Sequence, residues 1–365
     1  MIRYRIFETI DKKLIDEINK IRHDSFSYVF QMPEWINTII AYEQNLIKLK
    51  IIFFYSNNEV ILIAPLGIKH KCGYNELGWL TSDIIDYNGI IISKTFNFKD
   101  NFFIYSWEKV IKTLSRECDI IFFNKIPEFI KFKKNPLINS DYKSYQKSYQ
   151  LILENFDYNS FYNDNNNNKT QQTDRRKEKK LTNQGNLKCS YIDINKNNFH
   201  LIEDFIYKKM SFYKKNKIKT FNDKDLINQY RQLVNVMSND FKFNLSILEK
   251  DGKKISTIFG VLFNQIYYYL VPFTYNTEFK KYSPGRFHII NLIKWAKNNN
   301  IKTIDFTAGD EKYKKNWSNR NFNMFFYIKL INLIGVPRFI FLNLYFKFRS
   351  NFFLKKMHQI IKYAF

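Results

Sequence analysis

The sequence predicts a mixed α/β (α+β) protein built from two domains, and three observations carry that reading. Its 365 residues are enough for two ordinary domains. Hydrophobic residues make up 45% and aromatics 18%, which supplies packed cores and excludes a wholly disordered chain. Strand-like and helix-like segments alternate throughout, interrupted by a stretch rich in Asn, Tyr and Asp from Asp157 to Thr173, which reads as a boundary loop. The expected units are residues 1–155, 156–331 and a distinct basic segment, 332–365.

In the first unit, Met32-Pro33-Glu34-Trp35 opens a helix to about Ala41, with proline suited to its first turn. Ile47–Tyr55 and Val60–Ile68 are strands joined at Asn57-Asn58, a hairpin pair. Trp79 to Ile92 reads as strand and loop, Trp107–Cys118 as helix and Asp119–Asn124 as buried strand. In the second unit, Arg175–Leu181 is a basic helix closed by Gly185 at C′. It reads first as a solvated face and second as an anion-attracting surface. Ile202–Lys214 is a helix whose apolar spacing suits packing on a sheet. Phe241–Leu248, Ile255–Asn264 and Ile266–Val271 form a meander, with Lys250-Asp251-Gly252 at its first turn. Pro284–Asn298 is a helix, Lys302–Thr307 a strand and Phe322–Ile331 a last strand.

The net charge of +24 favours anionic partners: a polyphosphate cofactor, an acidic carrier, RNA or an anionic membrane face. Cys72, Cys118 and Cys189 are far apart and the histidines are scattered, so neither a disulfide framework nor a metal site is expected. The first residues lack the apolar core of a signal peptide and no apolar run reaches membrane-spanning length, so a cytoplasmic protein is expected. Segment 332–365 carries Arg338, Lys347, Arg349, Lys355, Lys356 and Lys362, and no acidic residue. It fits two descriptions equally: a docked helix with lysines in water, or a helix lying on the anionic inner face of a membrane.

Chemistry concentrates between Tyr267 and Trp317. Ser283, Pro284, Gly285 and Arg286 start a helix with N-cap, N1, N2 and N3 residues. Free N–H groups, the helix dipole and Arg286 would seat a phosphate there, close to a Gly backbone. Alternatively, Ser283 caps the helix with its own hydroxyl. The strand that follows ends in Gly309-Asp310, at the kind of strand end where α/β sheets place ligands. Asp310 there suits a base or an amine-orienting group, and Tyr313 an acid that protonates a leaving thiolate. Tyr313 and Trp317 also fit plain i, i+4 packing, and Asp305 a capped strand end.

The run Tyr282-Ser283-Pro284-Gly285-Arg286, the helix with Ile293-Lys294-Trp295-Ala296, then Asp305-Phe306 and Gly309-Asp310-Glu311-x-Tyr313-Lys314-x-x-Trp317 together resemble the CelD/BcsL-like acetyltransferase branch of the GNAT (N-acetyltransferase) superfamily. Gln31–Trp35, Ile63-Ala64-Pro65-Leu66, the Asp86-Tyr87 loop and the basic helix at 175–181 agree, so the resemblance spans most of residues 25–320. It departs in the phosphate loop, where the superfamily's basic-x-x-Gly-x-Gly/Ala pattern keeps one glycine, Gly285.

The resemblance implies tandem GNAT-like domains, mixed sheets flanked by helices, as in Fem-type aminoacyltransferases, with the second domain taking acetyl-CoA or another acyl-CoA as co-substrate. A splay between Ile266–Val271 and Thr303–Thr307 then admits the pantetheine arm. The amine attacks the thioester directly, and a backbone N–H stabilises the oxyanion. The expected donor-binding residues are Tyr269, Val271, Ser283, Gly285, Arg286 and Lys314. Asp310 and Tyr313 are the catalytic candidates, and Asp86, Tyr87, Asp305 and Trp317 border the acceptor. The acceptor is expected to be a small molecule or saccharide, such as an amino sugar in envelope-polysaccharide assembly. Two competing functions remain open: a charged-tRNA-dependent transferase, which would be the protein's one nucleic-acid partner, and a non-catalytic scaffold at a membrane.

Overall fold

A computed structural model describes residues 2–348, apart from residues 23, 44, 99–101, 167, 184 and 219–221. The chain divides into two compact units, residues 1–147 with the segment from 322 onward, and residues 148–321.

The first unit runs β1 (Arg3–Phe7), α1 (Lys12–Arg22), β2 (Ser25–Phe26), α2 (Pro33–Tyr42), β3 (Leu46–Ser56), β4 (Glu59–Lys71), β5 (Tyr74–Trp79), β6 (Ile91–Ser93), α3 (Phe102–Leu114), β7 (Ile120–Pro127), the small pair β8 (Phe129–Ile130) and β9 (Lys133–Lys134), and the start of β10 (Lys143–Ile152). The hairpin between β3 and β4 turns on Asn57 and Asn58, both at positive φ, the conformation such a two-residue turn demands. β5 begins before Trp79 and α3 starts earlier than the sequence suggests, because Phe103 and Trp107 anchor one buried face.

The second unit contains α4 (Tyr158–Asn165), α5 (Asn168–Thr182), β11 (Leu187–Ile194), α6 (His200–Lys215), α7 (Asp223–Val236), β12 (Phe241–Lys250), β13 (Lys253–Phe263), β14 (Ile266–Thr274), α8 (Pro284–Asn298), β15 (Thr303–Ala308) and α9 (Lys312–Asn316). The expected loop at 157–173 is helical instead. Asp157 caps α4 by accepting from the Ser160 N–H at 2.7 Å, and burial of Phe161 outweighs the weak helix propensity of Asn. Gly185 does not close α5, which ends at Thr182. Its φ of +110 and the close approach of Asp251 explain the glycine.

The chain then returns to the first unit with β16 (Arg320–Leu330) and α10 (Val336–Phe348). The sequence groups this strand with the second domain, but it pairs antiparallel along β7, with Phe325 opposite Ile126 and Leu330 opposite Ile120.

Both units repeat one order of elements. In each, an antiparallel run (β1-β3-β4-β5; β11-β12-β13-β14) is followed by a helix (α3; α8) that crosses to a strand parallel to the last one (β7; β15). Parallel neighbours require such a crossover. The closing antiparallel strand comes from elsewhere in the chain: β16 beside β7, and residues 148–152 of β10 beside β15. Each unit is therefore a mixed sheet flanked by helices, with its own core. The first core is centred on Phe54, Trp79, Trp107 and Phe123. The second is centred on Tyr267, Leu292, Phe306 and Trp317.

Candidate active site

The site is created by the way β14 and β15 part. They pair at Ile266–Thr303, Tyr267–Ile304 and Tyr268–Asp305 and no further, although β14 continues to Thr274 and β15 to Ala308. On its other edge β14 stays paired to β13. Its register slips there, because Phe259 faces Val271 while Gly260 faces Tyr269. A bulge of this kind bends a strand and strengthens its twist, which turns β14 away from β15. Side chains at the bulge are packed tightly: Gly260 has no room for a Cβ beside the Tyr267 ring. In the first unit, by contrast, β5 stops at Trp79, one residue past its last pair with β7 at Gly78.

The far end of β14 meets the start of α8. A Cβ on Gly285 would lie 2.8 Å from Thr274 Oγ1, so glycine there keeps the backbone of the first turn accessible. Ser283 precedes the helix in the left-handed region (φ 58, ψ 52) and no side chain caps the helix start. Its hydroxyl instead accepts from Lys177 Nζ at 2.8 Å. The self-capping alternative is thereby excluded. Lys177 lies on α5, and Lys180 and Lys281 stand 6.0 and 5.3 Å from the Tyr282 ring beside the same turn. Uncapped N–H groups with Lys177 beside them and two more lysines near Tyr282 make this helix start a candidate seat for a polyanion.

Arg286 does not serve that seat as expected. Its Nε–H donates to Asp174 Oδ2 at 2.6 Å and its Nη2 to Asn166 Oδ1 at 2.7 Å. The guanidinium lies 4.8 Å from the Trp317 ring centroid, and Tyr162 donates to the same Asp174 oxygen at 2.6 Å. The arginine therefore clamps α4 and α5 onto α8. Trp317, expected beside the acceptor, is 2% exposed and forms the lid of this clamp.

At the end of β15, Asp305 is wholly buried. It accepts from Gln150 Nε2 and from the Thr307 N–H, both at 2.8 Å. It fixes the turn in which Thr307 has positive φ and is closed to an acceptor. Lys314 is also consumed. Its ammonium donates to the Ala308 carbonyl at 2.8 Å and pairs with Glu311 at 3.2 Å, which ties α9 to the strand end and leaves no role on donor phosphate. Tyr87 is a core residue of the first unit, its ring tilted against that of Tyr28 at 4.5 Å. With Asp86 it belongs to the first unit, whereas the slot lies in the second.

Of the remaining expected residues, Tyr269, Val271 and Tyr313 lie on or beside the parting strands. Tyr269 and Val271 flank the bulge. Tyr269 is buried, with its ring 5.3 Å from Phe306 and 6.1 Å from Tyr313, and burial followed by Tyr313 pushes its ionisation far up. Tyr313 is half-buried and Asp310 exposed. Tyr149, on β10, is raised by burial and then by the charges of Asp310 and Glu311; Tyr213, on α6, by burial and then by Glu311. One rim of the slot therefore carries two carboxylates among tyrosines. Among the described residues no cluster of possible metal ligands occurs.

Sequence reasoning missed Lys177, whose basic helix read first as a solvated face, and Lys209 on α6. The signal for Lys209 was its position: it continues the buried stripe of Ile202, Phe205 and Ile206.

Residues 168–315 match the family described as an acetyltransferase (GNAT) domain. By sequence, no curated protein matches the chain. Among solved structures, FemX aligns over 90% of this chain and 97% of its own, at 11% identity and a TM-score of 0.59. L-PGS from Bacillus licheniformis aligns over 93% of this chain and 97% of its own, at 10% identity and 0.51. The C-terminal domain (DUF2156) of a putative lysylphosphatidylglycerol synthetase from Agrobacterium fabrum aligns over 90% of this chain and 94% of its own, at 9% identity and 0.50. At these identities the structures speak to fold alone. The family match falls within the second unit, and the two units share one order of elements.

Proposed function

We propose that the second unit is an acyl-CoA-dependent N-acyltransferase. The observation that carries this reading is the parting of β14 from β15 directly beside the uncapped, lysine-flanked start of α8. The parted strands leave backbone groups on β14 for the amides of a pantetheine arm, and the helix start suits the diphosphate. Lys177 takes over the cationic role that the sequence assigns to Arg286. The thioester then lies near the bulge at Tyr269–Val271, where a backbone N–H stabilises the oxyanion. An acceptor amine attacks directly, with Asp310 orienting it and Tyr313 protonating the leaving thiolate.

The acidic, tyrosine-lined rim supports a hydroxyl-rich amine as acceptor, in keeping with an amino sugar of envelope polysaccharide and with the CelD/BcsL-like resemblance. A second reading, transfer from charged tRNA, draws on the exposed Arg175, Arg176, Lys179 and Lys180 along α5 and on the likeness to FemX and L-PGS. A calorimetric titration with acetyl-CoA, free CoA and tRNA separates the two. The acyl-CoA reading expects saturable binding of acetyl-CoA and fails if only tRNA binds.

Association with an anionic membrane through segment 332–365 also belongs to this proposal. α10 docks through Leu342, the Phe346–Phe326 stack at 3.8 Å and the Arg338–Glu76 ion pair at 3.0 Å. The helix exposes Ile340 and Leu344, and the turn before it exposes Leu333, apolar side chains suited to an interface. Residues 349–365, with the remaining basic side chains, lie outside the described residues. Among the described residues no helix is long and apolar enough to cross a membrane.

A further inference from the structure

Lys209 lies on the face of α6 that its neighbours Ile202, Phe205, Ile206 and Met210 bury. A lysine on such a stripe is costly to hold charged, and it is 8% exposed. Its Nζ donates to the Pro272 carbonyl at 2.9 Å and stands 5.4 Å from the Tyr213 ring.

The direction of that carbonyl gives the lysine its place. The Tyr275 N–H donates to the Ile255 carbonyl on β13. Antiparallel pairing alternates, so Phe273 faces β13 in the same way and Pro272, one residue on, turns its carbonyl to the opposite edge. That is the edge β15 has left. The Lys209 amine therefore occupies the slot itself, between the bulge at Tyr269–Val271 and the seat at Gly285.

The geometry points to Lys209 as the catalytic residue that takes the proton from the acceptor amine during acyl transfer. This rests on the acyl-CoA reading above. The acceptor nitrogen's lone pair forms the C–N bond at the thioester carbonyl carbon. The C–S bond breaks and its electron pair leaves on sulfur. The proton that the nitrogen sheds goes to Lys209 Nζ, and Tyr313 supplies one to the thiolate. Exchange with water then discharges the Lys209 ammonium and restores Tyr313, so amine and acyl-CoA yield amide and free CoA with no other reactant. A neutral amine keeps two hydrogens, so it holds the Pro272 carbonyl while presenting its lone pair.

The electrostatics agree. Burial pulls the Lys209 ammonium down to about 8, near where a base works best at physiological pH. Ionisable groups on the elements that meet here are Tyr213 on α6, Glu311 ahead of α9, which raises Tyr213, and Tyr269 on β14. α7, packed along α6, contributes Asp223 and Arg231, each already paired across to α6 with Lys214 and Glu203.

The test needs no knowledge of the acceptor. The full chain is incubated with acetyl-CoA alone between pH 6 and 10, and acetylated lysines are mapped by peptide mass spectrometry, with acetyl-CoA binding measured in parallel by calorimetry. At pH 8 about half of an amine with this acidity is neutral, against under about 1% of an ordinary lysine. Lys209 is therefore expected to acetylate about tenfold faster than exposed lysines, with a rate that rises through pH 8 and collapses when desulfo-CoA fills the slot. The variant Lys209→Met should keep the wild-type melting temperature within a few degrees and bind acetyl-CoA. If acetyl-CoA binds but Lys209 labels no faster than exposed lysines, or labels equally with desulfo-CoA present, the assignment is overturned while the acyl-CoA reading stands. If acetyl-CoA does not bind, both fall.

Discussion

Arg286 and Asp174 meet at 2.6 Å beneath the indole of Trp317, and this pair decides which cation is left for the anion seat. The arginine at N3 of α8 reads in sequence as a phosphate ligand. In the fold it is held by α5, and Lys177 of that same helix reaches the seat in its place.

Removing Arg286 should therefore cost stability before affinity. Arg286→Ala leaves the Asp174 carboxylate buried without its cation, and breaking such a pair costs about 3 kcal/mol. Arg286→Glu sets two carboxylates together and should be worse. Urea titration checks this: a midpoint unchanged from wild type would show that the clamp contributes nothing.

Lys177→Ala should do the reverse. Its folding midpoint should stay close to wild type, while acetyl-CoA affinity falls about tenfold, or about 1.4 kcal/mol. The loss should shrink at high salt, because exposed charges are screened. Calorimetry at two ionic strengths tests it, and equal affinities for variant and wild type would remove Lys177 from the seat.

Asp310→Asn should lower turnover about a hundredfold, the scale for losing the alignment of a reacting group, and leave donor affinity within about threefold. Steady-state kinetics with donor titration separates the two quantities, and unchanged turnover would exclude Asp310 from the chemistry.

His288 predicts a pH dependence of stability. It is wholly buried between the Ser246 and Ser256 hydroxyls at 2.7 and 2.9 Å, and burial pulls its pKa from 6.5 down to about 3. The folded imidazole stays neutral to about pH 3, whereas the unfolded one takes a proton near 6.5. Between these values the unfolded state binds the extra proton. Stability should fall as pH drops through that window, by about 1.4 kcal/mol per unit. Urea midpoints at pH 7, 5 and 4 should converge between wild type and His288→Gln; parallel curves would contradict the assignment.

For the membrane proposal, changing Leu333, Ile340 and Leu344 together to serine should reduce co-sedimentation with vesicles containing phosphatidylglycerol. Those side chains are exposed, so folding should be spared. Unchanged partitioning would rule out α10 and the turn before it as the contact.

The parts of the fold legible in sequence were those governed by local physics. Asn57-Asn58 gave the hairpin, Pro284 the helix start, and the alternation of strands and helices the α/β class. The closing strands were not legible, because β16 beside β7 and β10 beside β15 are pairings between distant segments that no local pattern encodes. The site divides similarly. Gly285 and Ser283 were readable from helix-start chemistry, and Asp310 and Tyr313 from their strand end. The fates of Arg286, Lys314 and Asp305 were decided by partners far along the chain or by the turn of a loop: Asp174, Ala308 and Gln150. Lys209 was hidden because one lysine in a lysine-rich helix stands out only once its buried face is known.

The most direct test is calorimetric titration of acetyl-CoA into the wild-type chain and into Gly285→Trp, with Lys177→Glu as a second variant and melting temperatures as the folding control. The account predicts one saturable site in the wild type and its loss in both variants while they remain folded. Equal binding in all three, or none in the wild type, would contradict a donor seat at the start of α8.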